Sequence, residues 1–230
     1  MFKQKIRLIT TQLGSGSLKL LAGELSRRLG YKVFRSATPK LTRKNIRYGD
    51  CKDKIYQYQW FEQQGLSALT YTTSQETAQT WLSDGLAVFA RLLTRASEGK
   101  GIVVVEPGEN LPMAPVYTQY KKKKKEYRIH VFQGKVVHVL EKRKKSATEN
   151  FSKVRNLANG YVFCSDGVVE PNGLRELALR AAKVTSSDFA GVDIGYNEKK
   201  DELFVIEVNS APGIQGTNIN RYSDAIIESL

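Results

Sequence analysis

The sequence predicts a mixed α/β fold in which α+β lobes follow a small βαβ-like opening. A strand, a helix and a second strand follow one another over residues 4–36. Two later stretches alternate apolar and polar residues like β-hairpins, around residues 133–134 and 197–201. An amphipathic helix lies between them, from Pro171 to about Ser187. The hydrophobic content of 41% over 230 residues is typical of a folded protein.

The first seventy residues are predicted to contain two strands and two helices. Residues 4–10 form the first strand, residues 18–29 a helix and residues 31–36 the second strand. The intervening GSG lacks the third glycine of a dinucleotide-binding fingerprint, so we favour a structural turn. Polar, basic residues 36–54 are expected to form a long loop, and residues 54–64 a helix.

The next segment is predicted to form a helix and two strands. Thr73 and Glu76 have the spacing of a capping box, which would open a helix ending near Asp84. A strand follows at residues 86–93, and another at Ile102–Val105. The polar, glycine-flanked loop between them, residues 97–101, has the arrangement of a lid that can close over phosphates.

A hairpin around Gln133-Gly134 predicts a polar sheet face. If the two-residue turn sets the register throughout, Glu126 lies opposite Glu141. Glu126, Arg128, Glu141 and Arg143 then share one face, and apolar residues form the other.

The last hairpin predicts a cluster of oxygen-bearing side chains. Its register places Asp193 opposite Glu207, with Asn209 on the same face. Two adjacent carboxylates repel unless a cation lies between them. Mg²⁺ prefers one or two carboxylates together with phosphate and water oxygens. A magnesium site that bridges a triphosphate is therefore expected, although Glu207 and Asn209 alone would fit a solvated strand edge.

The order Asp193, Glu207-x-Asn209 and then Ser-Ala-Pro-Gly resembles the C-terminal signature of ATP-grasp ligases. The resemblance spans roughly residues 70–222 and is greatest to ribosomal-protein glutamate ligases and glutathione synthetases, especially small phage-type members. It implies an ATP-grasp fold with the nucleotide between two antiparallel-sheet lobes. The implied domains are an N-terminal substrate domain (1–70), a central lid lobe (71–118) and a C-terminal lobe with the magnesium site (119–230).

The resemblance also implies roles for individual residues. Arg91 stands where the family usually has lysine, and Gln119 where an acidic residue is common. The expected nucleotide-binding residues are Arg91, Lys100, Gln119, Tyr120, Glu126 and Asn156. The expected metal ligands are Asp193, Glu207 and Asn209. The expected catalytic residues are Arg128, Arg143 and Asn209, and strand parity favours Arg143 over Lys142 for holding an acyl phosphate. The expected substrate-binding residues are Arg155, Ser210, Gly213 and Gly216.

The activity implied by the resemblance is ATP-dependent carboxylate–amine ligation through an acyl phosphate, with release of ADP and phosphate. The expected cofactors are ATP and Mg²⁺, as two ions, with Mn²⁺ as a substitute. The expected partners are a small carboxylate and an amine, or a peptide; a homo-oligomer is left open.

The net charge of +13 supports alternatives. One is a nucleic-acid-binding protein on a degenerate ATP-grasp fold, and another is a ligase whose acceptor is nucleic acid or an acidic peptide. For the run Lys121–Lys125, a solvated basic loop is the simplest interpretation. No apolar run reaches the ~20 residues of a membrane helix. Cys51 and Cys164 are interpreted as free thiols in a reducing cytoplasm.

Overall fold

In the computed structural model the chain forms three β-sheets, and the described residues are 5–50, 53–95, 99–145 and 152–230. The first sheet is parallel, has the order β2-β1-β3 and is covered by helix α1. Its elements are β1 (Ile6–Ile9), α1 (Gly16–Leu29), β2 (Phe34–Ser36) and β3 (Lys44–Arg47). Strand β3 lies where a long loop was expected, so that expectation is wrong. Its pattern is weak because only Ile46 of its four residues is buried.

The second sheet is antiparallel and has the order β4-β7-β5-β6. Its strands are β4 (Tyr71–Thr72), β5 (Val88–Arg91), β6 (Ile102–Val105) and β7 (Val116–Gln119), and the helices of this part are α2 (Lys54–Gln63) and α3 (Gln75–Ser83). Helix α3 is capped by Ser74, whose hydroxyl accepts a hydrogen bond from the Thr77 amide at 3.2 Å. The predicted cap at Thr73 is therefore wrong by one residue.

The third sheet is antiparallel, with the order β10-β9-β8-β11-β12. Its strands are β8 (Lys125–Phe132), β9 (Lys135–Lys144), β10 (Tyr161–Cys164), β11 (Phe189–Asn197) and β12 (Glu202–Asn209). Helix α4 (Leu174–Ala182) is shorter than predicted, and helix α5 (Thr217–Glu228) had no sequence prediction. The three sheets and their helices confirm a mixed α/β fold.

The register of the β8–β9 hairpin shifts at a bulge. Phe132 pairs with Lys135 as predicted, but between His130 and Val131 the register slips by one residue, so Arg128 pairs with Leu140. A one-residue slip moves every later side chain of one strand to the other face. Glu126 and Arg128 therefore share their face with Lys142, and the prediction that they share it with Glu141 and Arg143 is wrong.

The β11–β12 hairpin has the predicted register at the polar residues. Asp193 pairs with Glu207 as predicted. The irregularity in this ladder begins at the next residue toward the turn, between Asp193 and Ile194. Asp193 also pairs with Arg128 on its other side. One row of the sheet thus carries Arg128, Asp193 and Glu207 in order across three strands.

The two faces of the five-stranded sheet differ in what covers them. Tyr127, Ile129, Val192 and Ile194 are buried in a core that includes residues of α2 and α4. The opposite face carries the row just described and, further along, meets α5 through Tyr222. Helix α2 comes before residue 70 in the chain but packs into the core of the third sheet. The domain boundaries expected near residues 70 and 118 stay a prediction.

Candidate functional site

The centre of the site is a buried ion pair on the polar face of the five-stranded sheet. Asp193 on β11 is only 3% exposed and receives two hydrogen bonds from the guanidinium of Arg128, one of them 2.7 Å long from a terminal nitrogen. The ammonium of Lys142 lies 3.6 Å from the same carboxylate. Lys142 also pairs with the buried Glu126, which lies 3.4 Å from the ammonium of Lys123. Oppositely charged side chains from the three adjacent strands β9, β8 and β11 therefore contact one another.

A second ion pair lies beside the first. Glu207 on β12 is bound by the ammonium of Lys54 at 2.5 Å and by the side-chain amide of Asn209 at 3.0 Å. Lys54 is the first residue of α2, and its side chain is almost fully buried. The sequence reasoning missed Lys54. Its only signal was its place at the start of a helix capped by Asp53.

The surrounding charges set the pKa of the groups in the site. Burial raises the pKa of Glu207, but Lys54 and Arg91 outweigh it, so the result lies well below the ordinary value. Burial lowers the pKa of Lys142, and the neighbouring Asp193 and Glu126 reverse this and raise it. The carboxylate of Glu207 is thus ionised, and both Asp193 and Glu207 already have cationic partners. The argument that their repulsion alone demands a metal ion is therefore wrong.

The donor set nevertheless fits magnesium. Asp193, Glu207 and Asn209 provide carboxylate and carboxamide oxygens, the hard ligands that Mg²⁺ prefers. Within the described ranges there is no cluster of three or more His, Cys, Asp and Glu side chains that could hold a metal. Two carboxylates suit a magnesium ion whose remaining ligands are phosphate and water oxygens. They are too few for an ion that is bound by protein side chains alone.

Arg91 provides a separate indication of a ligand site. It lies on β5, in the neighbouring sheet, and is only 5% exposed, with its guanidinium 5.9 Å from the ring centroid of Tyr58. Its buried Nε has no hydrogen-bond partner in the described part of the chain. A buried guanidinium nitrogen without a partner is unusual and is satisfied when an anionic oxygen binds. Arg91 is therefore placed to bind a phosphate group.

The predicted lid is described only at its end. Residues 96–98, which include Ser97, lie outside the described residues; Lys100 is exposed. Gly99 has φ +75° and lies against the segment before β10. A Cβ at Gly99 would come within 2.9 Å of Nδ2 in the Asn156 side chain. Asn156 also accepts a hydrogen bond from the Asn159 amide at 2.9 Å. The end of the loop and Asn156 are therefore neighbours.

The predicted hinge residues lie at the end of β7, where the chain leaves the second sheet and leads to β8 in the third. Gln119 and Tyr120 donate backbone hydrogen bonds to Thr70 (3.0 Å) and Ala87 (2.8 Å). The Tyr120 ring packs against Phe89, with centroids 5.6 Å apart. Arg155 donates to the carbonyls of Lys123 and Lys124, at 3.0 and 3.1 Å. Its guanidinium thus holds the linker that follows the hinge.

The predicted substrate loop is anchored to the N-terminal part of the chain. The Ser210 carbonyl accepts from the Gly49 amide at 3.0 Å, and its hydroxyl accepts from the Asp50 amide at 3.1 Å. Gly216, with φ +54°, precedes helix α5, whereas a side chain at Gly213 would meet open space. The loop is therefore fixed at its start by the segment that follows β3.

Arg143 lies apart from this cluster. It points to the other sheet face, where it donates to Glu141 at 2.7 Å and to the carbonyls of Asp166 and Gly167 at 2.7 and 2.9 Å. Arg143 was expected to hold the acyl phosphate because the predicted register of β8 and β9 had no bulge. With the bulge, Lys142 and not Arg143 lies beside Asp193.

Comparisons with known proteins agree with this architecture. A family model described as "RimK-like ATP-grasp domain" matches residues 109–229, which is more than half of the chain. No curated protein sequence gives a significant match. No described helix has the length and apolar character needed to cross a bilayer.

Several solved structures share the fold at low sequence identity. The ATP-grasp ligase PsnB complexed with a minimal precursor is 12% identical, with a TM-score of 0.67, and the alignment covers 99% of this chain and 100% of that one. D-alanine–D-alanine ligase from Bacillus anthracis is 12% identical, with a TM-score of 0.64 and coverage of 98% and 92%. A RiPP-associated ATP-grasp ligase from Chryseobacterium gregarium, in complex with ADP and a leader and core peptide, is 14% identical, with a TM-score of 0.63 and coverage of 99% and 97%.

The family match and the shared fold confirm the ATP-grasp resemblance. They support an ATP-dependent ligase, and one of the PsnB structures contains Mg and ADP. The chain belongs to the RimK-like ATP-grasp family.

Proposed function

We propose that the protein is an ATP-dependent carboxylate–amine ligase that works through an acyl phosphate. The observation that carries the proposal is the row Arg128, Asp193 and Glu207, which crosses three strands of the five-stranded sheet. Such a row provides cation-binding oxygens and a phosphate-binding guanidinium within one contact network. Phosphoryl transfer depends mainly on positioning and on neutralising charge, and these residues supply both.

The residues would divide the work by their chemistry. Asp193, Glu207 and Asn209 would hold magnesium, which, when bound, neutralises the charge on the β- and γ-phosphates. Arg91 would bind a phosphate oxygen through its unsatisfied nitrogen. Arg128 and Lys142 would hold the transferred phosphoryl group, since both lie on the correct face. Lys142 takes the role first expected for Arg143.

The remaining predicted residues keep supporting roles. The nucleotide would contact the hinge and the polar residues near it: Gln119, Tyr120, Glu126, Asn156 and Lys100. Ser210, Gly213 and Gly216 would lie against the substrate. Arg155 would act indirectly, because its guanidinium already holds two linker carbonyls.

The chemistry would proceed in two balanced steps. A substrate carboxylate oxygen attacks the γ-phosphorus, an O–P bond forms, and the bond to the bridging oxygen breaks to release ADP. An amine nitrogen then attacks the acyl carbon, the C–O bond to phosphate breaks, and the amine proton is lost as inorganic phosphate leaves. An acyl phosphate hydrolyses in water, so the site has to exclude water while the intermediate exists.

A peptide is the substrate class that we favour. Several structures with the same fold are complexes with precursor peptides, including the macrocyclase MdnC with MdnA. Nucleic acid is less favoured, because three of the five lysines in the run 121–125 have carboxylate partners: Glu202, Glu126 and Glu198. These pairs reduce the positive charge that the run could offer to a polyanion.

The test is Mg²⁺-dependent ADP release with amino acids, polyamines and peptides as substrates, with and without DNA. We expect peptide-stimulated ADP release that Asp193→Asn abolishes. Asp224→Asn is the matched control, since Asp224 pairs with Arg28 at 2.6 Å on the surface. Stimulation by DNA with no effect of Asp193→Asn would contradict the proposal.

A further inference from the structure

Lys54 lies where three parts of the chain meet. It belongs to α2, its backbone amide donates to the Thr94 carbonyl just beyond β5 at 3.0 Å, and its ammonium binds Glu207 on β12 at 2.5 Å. A single buried lysine thus connects α2, the segment after β5 in the sheet that carries Arg91, and the sheet that carries the carboxylates. Nothing in the sheet fold itself requires this ion pair.

Helix α2 is also fixed to β12 independently of Lys54. One turn further along, Gln57 donates its side-chain amide to the Val208 carbonyl at 3.0 Å and accepts from the Val208 amide at 2.9 Å. The carboxamide thereby satisfies both backbone groups of one residue of β12. Because Gln57 holds the helix, the Lys54–Glu207 contact is not needed to keep α2 in place.

The ammonium of Lys54 occupies a position where a cation is expected in the loaded enzyme. It lies against the Oε2 of Glu207, while Oε1 accepts from Asn209. A divalent ion bound at Oε2 would lie close to the ammonium of Lys54, and two cations at such a short distance repel each other. Binding of the ion therefore disfavours the present position of the ammonium.

We infer that Lys54 is an exchangeable counter-ion of Glu207, which balances the charge of the carboxylate without metal and withdraws when the metal–nucleotide complex binds. This inference rests on the proposed function, because it takes Glu207 as a metal ligand. Lys54 is a positioning residue in this scheme. Its side chain, starting from the first residue of α2, moves from the carboxylate toward the anionic groups of nucleotide and substrate. Binding of the metal is thereby coupled to the position of α2.

The test is a direct titration of the full chain with Mn²⁺, followed by electron paramagnetic resonance, in the absence of nucleotide and at neutral pH. Wild type, Lys54→Met and Lys54→Gln are compared. We expect Lys54→Met to bind Mn²⁺ at least about tenfold more tightly, because a competing hydrogen bond between charged groups is removed. Lys54→Gln keeps a neutral donor and should lie between the two. It also provides a second variant should the methionine variant fail to fold.

The controls separate this inference from the proposed function. Lys124→Met removes an equivalent charge from the pair with Glu198 at the surface and should leave the Mn²⁺ affinity within about twofold of wild type, since exposed pairs are weak. If Lys54→Met and Lys54→Gln bind Mn²⁺ no more tightly than wild type, while Asp193→Asn weakens binding, the counter-ion inference is wrong and the metal site stands. If Asp193→Asn has no effect on Mn²⁺ binding, the proposed metal site itself is wrong.

Discussion

The Arg128–Asp193 pair can be tested through stability, independently of substrate. The side chains of Arg128 and Asp193 are only 15% and 4% exposed. Arg128→Met would leave the Asp193 carboxylate buried with Lys142, at 3.6 Å, as its remaining cation. Breaking a buried pair by removing one partner costs roughly 3–5 kcal/mol. Because Lys142 offsets part of this, we expect a loss of about 3 kcal/mol in the free energy of unfolding.

The assay is urea unfolding at neutral pH, with Arg175→Met as the control. Arg175 makes two hydrogen bonds of 2.7 Å to Glu170, but the two side chains are 58% and 29% exposed. Exposed pairs contribute about 0–1 kcal/mol, so this variant should lose less than about 1 kcal/mol. In thermal unfolding the Arg128 variant should melt about 6–12 °C lower for a chain of this size. Equal losses in the two variants would refute the reasoning that burial separates them.

Three further predictions follow from the register, packing and titration. In the ADP-release assay Lys142→Ala should lower kcat at least about tenfold and Arg143→Ala by no more than about threefold, because Lys142 lies beside Asp193 whereas Arg143 binds Glu141 on the other sheet face. The reverse order would contradict the observed register. Gly195→Ala should lower the unfolding free energy by about 1–3 kcal/mol, since its Cβ would lie 2.4 Å from a phenylalanine ring atom. Gly23→Ala, in the middle of α1 with open space, should instead raise it by about 0.5–1 kcal/mol; equal effects of the two glycine changes would count against the packing described. Burial lowers the pKa of His130 to about 3, so its contribution to stability is complete above pH ~6.5 and is lost as the pH falls toward 3. Between pH 6.5 and 5 this loss should amount to about 2 kcal/mol in urea unfolding, and an undiminished loss in His130→Gln would exclude the histidine as its source.

The sequence predicted the parts of the fold whose pattern is local. The hairpin turns, α1, α2 and the pairing of Asp193 with Glu207 were predicted from alternation and turn composition, and the structure confirms them. Ile206 and Val208 alternate with Glu207 and Asn209 along β12, so the two faces of this part of the strand could be assigned without a structure.

The parts that could not be predicted depend on contacts between distant segments. The bulge near His130 has no proline or glycine to indicate it, and it decides whether Lys142 or Arg143 reaches the site. Lys54 is separated from Glu207 by most of the chain, so only the packing of α2 on β12 brings them together. The short strand β3 depends on pairing with β1 and has one buried side chain of its own.

The proposed metal site is tested most directly by a crystal structure with a non-hydrolysable ATP analogue and Mn²⁺, using anomalous scattering to locate the ion. We predict that the anomalous peak places Mn²⁺ within bonding distance of oxygens of Asp193, Glu207 and the triphosphate. A phosphate oxygen should accept a hydrogen bond from the guanidinium of Arg91. A well-ordered triphosphate bound elsewhere, with no metal between the two carboxylates, would contradict the account.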